Sequence, residues 1–172
     1  MDPVQVLSAL GNAAVIVGIG LGLVQLRSLA KQRQEELVIR AFAPFTDAAF
    51  SRAFWAVQRW RFSTFEQFEA EATLDDWVTL DMVSVQFETM GLLYKRGLAK
   101  LDFLDDLIAE PTLMTWNKIA PIVYGFRVKE RTPGWSQWHE ALALALDKRL
   151  TAIGEDHPMP HSGDQGTPAP AG

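Results

Sequence analysis

The side chains able to do chemistry in this 172-residue chain are three histidines and a scatter of carboxylates, because it contains no cysteine. That absence excludes disulfide staples, thiol catalysis and thiolate metal sites. His139 stands beside Glu140 and directly after Trp138. A histidine acting as a general base needs a nucleophile within reach, and no Cys, and no Ser in a nucleophile elbow, accompanies it. His139 therefore reads as a structural residue. His157 and His161 share a Pro-rich segment and lack both the third ligand and the rigidity that a metal site requires. Asp75 with Asp76 and Asp105 with Asp106 are adjacent pairs, so their side chains diverge on a helix. Helix starts attract acids through the dipole, and capping accounts for both pairs. Glu88 differs. It stands among Phe87, Met90 and Leu92 in the most apolar helix, and a buried carboxylate needs a partner. Arg127 is the candidate, giving a structural ion pair that fixes helix register. No catalytic, cofactor-binding or metal site is expected.

Helices must hold these residues, since no stretch alternates long enough to make a strand. Phe50, Phe54 and Val57 recur at helical spacing after Thr46-Asp47, and Ser63-Thr64 followed by Glu66 and Gln67 resembles a capping box. The stretch TLDDWVTLDMVSVQFETMGLLYKRG is apolar on a broad face and reads as the central helix of a bundle. Lys95, Arg96 and Gly97 end it, with cations at the negative pole and a glycine free to turn left-handed. Asp102 starts a short helix. From Pro111 onward another carries Leu113, Trp116, Ile119 and Val123, with a bend expected at Pro121. A last helix carries Trp135, Trp138, Leu142, Ala145 and Leu150. After Ile153 the chain turns to GEDHPMPHSGDQGTPAPAG, a composition too poor in large apolar side chains to pack a core, and a disordered tail is expected over residues 154–172.

The N-terminal segment has the strongest signature. No charge occurs from Pro3 to Leu26, and Val4 to Leu26 as a helix covers roughly 34 Å, enough for a hydrocarbon core of about 30 Å. Asp2-Pro3 suits a cap and first helical position. A cleaved signal peptide is the rival, since Ser28-Leu29-Ala30 is a small-residue site, but the segment has no basic n-region and its apolar run is too long. A buried soluble helix is the other alternative. The expected organisation is a transmembrane helix over residues 1–27, a cytosolic helical domain over 28–153 and the tail. Nothing basic precedes the span beyond the amino terminus, whereas Arg27, Lys31, Arg33 and Arg40 follow it, so the domain is expected inside and the N-terminus outside a bacterial inner (plasma) membrane. Those cations either contact anionic head groups or serve insertion only. The helix should continue past the bilayer as a stalk ending near Ala43. Ala14, Gly18 and Gly22 line one face at intervals of four, where a second backbone can approach, and Asn12 can bond across such a contact. The glycines form no phosphate loop, lying in an apolar run with no strand before and no Lys after.

Charge is uneven along the chain, although its sum is only −5. Residues 27–61 hold seven bases against three acids, and residues 62–116 hold eleven acids against three bases. No nucleic-acid partner is expected. The segments PFTDAAFSRAFWAVQRW, VQFETMGLLYKRGL and WNKIAPIVYGFR resemble the bacterial family described as domain of unknown function 4760. That resemblance implies one membrane helix and a compact helical cytosolic domain, with no activity attached. The layout is also similar to small membrane-anchored proteins of antiviral systems, some of which use an Arg-x4-6-His nuclease motif. Here Arg131 precedes His139 by seven intervening residues, which departs from it. The expected function is that of a non-enzymatic single-pass membrane protein whose partners are the lipid bilayer and either a second copy or another protein. The alternative is a membrane-tethered antiviral effector, RNase-like or pore-forming.

Overall fold

A computed structural model describes residues 3–152 and 154, with side chains from residue 21 onward except residue 30. The described residues are helical and contain no strand. Six helices follow in order: α1 Pro3–Phe42, α2 Ala48–Arg59, α3 Phe65–Glu71, α4 Leu74–Lys95, α5 Leu101–Lys129 and α6 Gln137–Ala152. A 3-10 turn, Ala43–Thr46, joins α1 to α2. The chain divides into two compact units, residues 1–40 and 41–172.

The first unit is most of α1. The helix runs without a break to Phe42, where Pro44 at the start of the 3-10 turn stops it, because proline lacks the amide that would continue the ladder. Within the described part, Leu21, Leu23, Val24, Leu26 and Leu29 are all exposed. Lys31 lies 3.7 Å from Glu35 and Arg40 lies 2.6 Å from Glu36, both one turn apart and exposed, so part of the basic segment is balanced within its own helix. The span expected over Val4–Leu26 falls mainly on residues whose side chains lie outside the described ones. Among the described residues no helix is long and apolar enough to cross a membrane.

The second unit is a bundle with α4, α5 and α6 at its centre. Three of its helix starts, those of α2, α3 and α4, are capped by local side chains. Asp47 accepts from the Ala49 amide at 2.5 Å to open α2, and Thr64 accepts from the Gln67 amide at 3.2 Å to open α3, while Gln67 reaches back to the Ser63 amide at 3.1 Å. Thr73 opens α4 with a full capping box, exchanging bonds of 3.2 and 2.9 Å with Asp76. Asp76 also accepts from the Trp60 indole at 3.0 Å. Burial alone would raise its carboxyl, but the bonds from Thr73 and Trp60 outweigh that and hold it below the usual range.

Two expectations about the helices are corrected. Trp135 lies in the turn before α6, which begins at Gln137. Asp102 and Pro111 do not begin separate helices; α5 is one helix of 29 residues containing both Pro111 and Pro121. An internal proline costs roughly 3 kcal/mol. Against that, Ile108, Leu113, Trp116, Ile119, Ile122 and Val123 are all buried along its length, each contributing about 1.5–3 kcal/mol, so packing outweighs both interruptions. The core closes through aromatic contacts. Phe45, Phe50 and Phe87 meet edge to face at 4.8–5.9 Å, and Phe68 sits between Phe62 and Trp77 at 5.0 and 4.7 Å.

Two glycines allow the closest approaches. A Cβ on Gly91 would lie 1.9 Å from the Trp138 carbonyl oxygen, and one on Gly125 would lie 2.2 Å from the Phe65 Cβ. Gly91→Ala therefore forces α6 off α4. Thermal unfolding followed by tryptophan fluorescence should show a loss of about 2–3 kcal/mol, and an unchanged midpoint would contradict this packing.

Candidate functional site

Of the polar residues singled out in the sequence, Glu88, Arg127 and His139 converge on the first turn of α6. That turn has amides with no partner inside its own helix, and the residue before it, Ser136, is left-handed with φ 54°. Glu88, projecting from α4, satisfies the open amides. One carboxylate oxygen accepts from Trp138 N at 2.9 Å and His139 N at 2.8 Å. A side chain from a different helix thus does the work of an N-cap, and its negative charge sits at the positive end of the α6 dipole. Desolvation raises the Glu88 carboxyl, and the two amides and the nearby Arg127 only partly offset it.

Arg127 is not bonded to Glu88, which corrects the expected ion pair. Its Nη1 donates to Glu140 Oε2 at 2.6 Å and its Nε to the Trp135 carbonyl at 2.7 Å. The second Glu140 oxygen accepts from the Tyr124 hydroxyl at 2.8 Å, and the guanidinium lies 5.5 Å from the Tyr124 ring centre. Arg127 interacts with Glu88 through space only. The physical reason is reach: Glu140 is one turn into α6, where an acid is favoured by the dipole, and it meets Arg127 directly. Glu88 is already occupied by amides. Burial first, and then Glu140, push the Tyr124 hydroxyl far up.

His139 is fully buried. Its ring stacks on Phe87 at 4.8 Å and 18°, meets Trp116 at 5.0 Å, and has Nε2 3.4 Å from the Thr112 carbonyl. Burial lowers its pKa to about 3, so the ring is neutral at pH 7. Its Nδ1, like the Trp116 indole nitrogen, Ser84 Oγ and Thr115 Oγ1, has no hydrogen-bond partner. The neutral imidazole is walled in by Phe87 and Trp116. It is the core residue that the sequence suggested.

Two clefts lie elsewhere on this unit. One, of about 380 Å³, is lined by Phe42, Phe45, Phe50, Phe54 and Pro111, with only the hydroxyls of Thr46 and Ser51 as side-chain polar groups. The other, of about 390 Å³, is lined by Asp105, Asp106, Glu110 and Leu150 among others, and Asp105 is already paired with Arg149 at 2.5 Å. Among the described residues no group of three or more His, Asp or Glu is placed to hold a metal. His157, His161 and the rest of residues 155–172 lie outside the described residues, and the side-chain surroundings of Asn12, Ala14 and Gly18 are likewise not described. Gly22 is described, and a Cβ there would meet nothing within 4 Å. Tyr124 and Glu140, which meet Arg127 here, carry nothing in the sequence that ties them to it, although an acid one turn into a helix is where the dipole favours one.

The folded pKa of His139 lies below its unfolded value, so between about pH 6.5 and pH 3 the unfolded chain binds the extra proton. Stability attributable to His139 is therefore lost as pH falls through that window, at up to about 1.4 kcal/mol per pH unit. Glu88, raised on folding, acts in the opposite direction within its own range. The ring nitrogen chemical shifts of His139 should stay those of a neutral imidazole from about pH 8 to about pH 5, whereas an exposed ring would titrate near 6.5.

Comparison with protein-family models, curated proteins and solved structures finds no match to this chain.

Proposed function

We propose that this protein is a single-pass membrane protein without enzymatic activity. In this reading its N-terminal helix is the anchor, its helical domain lies on the cytosolic side of a bacterial inner membrane, and the domain self-associates or docks a protein partner close to the bilayer. One observation carries the anchor. Leu21, Leu23, Val24 and Leu26 are 54–64% exposed, and at about 100° per residue they project around the whole circumference of α1. An apolar surface on every side of a helix suits lipid, which has no preferred face, and does not suit packing against one protein neighbour. In the sequence the charge-free run continues back to Pro3. Arg27 and Lys31 at its inner end set the orientation.

Association is supported by Gly22, where an added Cβ would meet nothing within 4 Å among the described residues. Together with Ala14 and Gly18 it gives a face at which two membrane helices can approach. The nuclease alternative gains nothing, because the histidine it would need is enclosed. The resemblance to domain of unknown function 4760 stands as part of the proposal, on its three segments, and adds architecture rather than activity.

The full-length chain expressed in bacteria should sediment with membranes, resist alkaline carbonate and be released by detergent. Recovery in the carbonate supernatant would overturn the anchor. Gly18→Leu with Gly22→Leu should leave membrane insertion intact and weaken chemical crosslinking between copies by about tenfold, the effect of about 1.4 kcal/mol.

A further inference from the structure

The central helix of the second unit is apolar on two faces, and the fold uses only one. Leu80, Val83, Phe87 and Met90 of α4 are buried against the bundle. On the other side Leu74, Val78, Met82, Val85 and Leu92 are exposed, Leu74 at 78% and Val85 at 57%. At about 100° per residue, Leu74, Val78, Val85 and Leu92 fall within a strip roughly 40° wide. Val78, Val85 and Leu92 are spaced by sevens, the interval that keeps one seam facing a second helix.

The strip is also symmetric about its middle. Val78 and Leu92 lie equally far from Val85, Asp75 lies at the N-terminal end and Arg96 at the C-terminal end. Charge follows the same order. The exposed acids Asp75 and Asp81 occupy the first half, and the exposed cations Lys95 and Arg96 the last turn and cap. Two copies laid antiparallel about Val85 set Val78 against Leu92 of the second copy and Val85 against itself. Asp75 then meets the height and side of Arg96 of the second copy. A parallel pair would instead stack Asp75 on Asp75 and Arg96 on Arg96, which like-charge repulsion disfavours. A surface complementary to itself under a two-fold rotation is the mark of an isologous dimer contact.

We propose that the outer face of α4 is a homodimer interface, formed by antiparallel pairing of two copies about Val85. This rests on the self-association reading above and names its surface in the second unit, separate from the glycine face of α1. The absence of cysteine makes the arrangement directly readable. In the full-length chain in detergent, Val85→Cys should give a disulfide-linked dimer under mild oxidation. Val78→Cys and Leu92→Cys should crosslink to each other when mixed, and weakly or not at all alone. Asp75→Arg or Arg96→Asp singly should weaken the dimer by about tenfold or more in sedimentation equilibrium, and the two together should restore it, with helical circular dichroism unchanged throughout. Efficient self-crosslinking of Val78→Cys would indicate a parallel pair and overturn the proposal. So would a strictly monomeric chain, or a Val85 that crosslinks to a different protein. Loss of association in the Gly18 and Gly22 variants with Val85→Cys crosslinking retained would separate failure of the membrane-helix contact from failure of this one.

Discussion

The placement of α6 depends on one carboxylate. A helix that packs through Leu142, Ala143 and Leu146 into the core has no freedom to leave its leading amides unpaired, because each would cost about 1–3 kcal/mol when buried. Glu88 meets two of them from α4, and Gly91, one turn further along, leaves room for the Trp138 carbonyl. Charge and space thus come from the same helix face. Desolvating the carboxylate opposes this, as its raised pKa shows, yet two charge-assisted bonds and the helix dipole act on it together. From the other side Arg127 of α5 holds the Trp135 carbonyl and Glu140. The first turn of α6 is therefore gripped by both of its neighbours, and its register against each is set by hydrogen bonds rather than by apolar contact alone.

The buried histidine follows from that grip. With its amide on Glu88, His139 must point its ring between Phe87 and Trp116, and only the neutral form tolerates that environment. The polar atoms gathered there are placed by the helices that carry them. Thr112 turns its hydroxyl back to the Ile108 carbonyl at 2.6 Å, which satisfies it within its own turn and leaves its carbonyl to face His139. Burial lowers the pKa of His139 and keeps its ring neutral within the core.

Local signals were legible in the sequence, and long-range partners were not. The acids and hydroxyls at Asp47 and Thr64 act within three residues, so spacing alone exposes the helix starts they make. The end of α4 at Lys95, Arg96 and Gly97 was equally readable, and Gly97 has the left-handed φ of 67° that such an end requires. The need of Glu88 for a partner was visible from its apolar neighbours. Which partner it takes was not, because a backbone amide of a helix fifty residues away carries no side-chain signature. Glu140 as the acid for Arg127 was hidden for a related reason: neither helix periodicity nor charge spacing reports which faces of α5 and α6 meet. The continuity of α5 was misread because proline is a local signal, and a long buried face overrides it.

The exposed apolar surfaces of α1 and α4 differ in kind. On α1, Leu21 to Leu26 surround the helix with no charge among them. On α4 the apolar strip occupies one side and is interleaved with Asp75, Asp81, Lys95 and Arg96. Hydrocarbon accepts the first and rejects the second, since an ionised side chain in a bilayer costs about 2.5–3.5 kcal/mol or more. A protein surface can accept the second because it offers opposite charges at fixed positions, and a second copy of α4 run in reverse offers them in the required order. On the proposed reading, the same chain presents lipid with a surface that has no direction and its own kind with one that does. An anchor of that kind would confine copies to two dimensions and raise their effective concentration, so the proposed α4 contact can remain small and still be occupied.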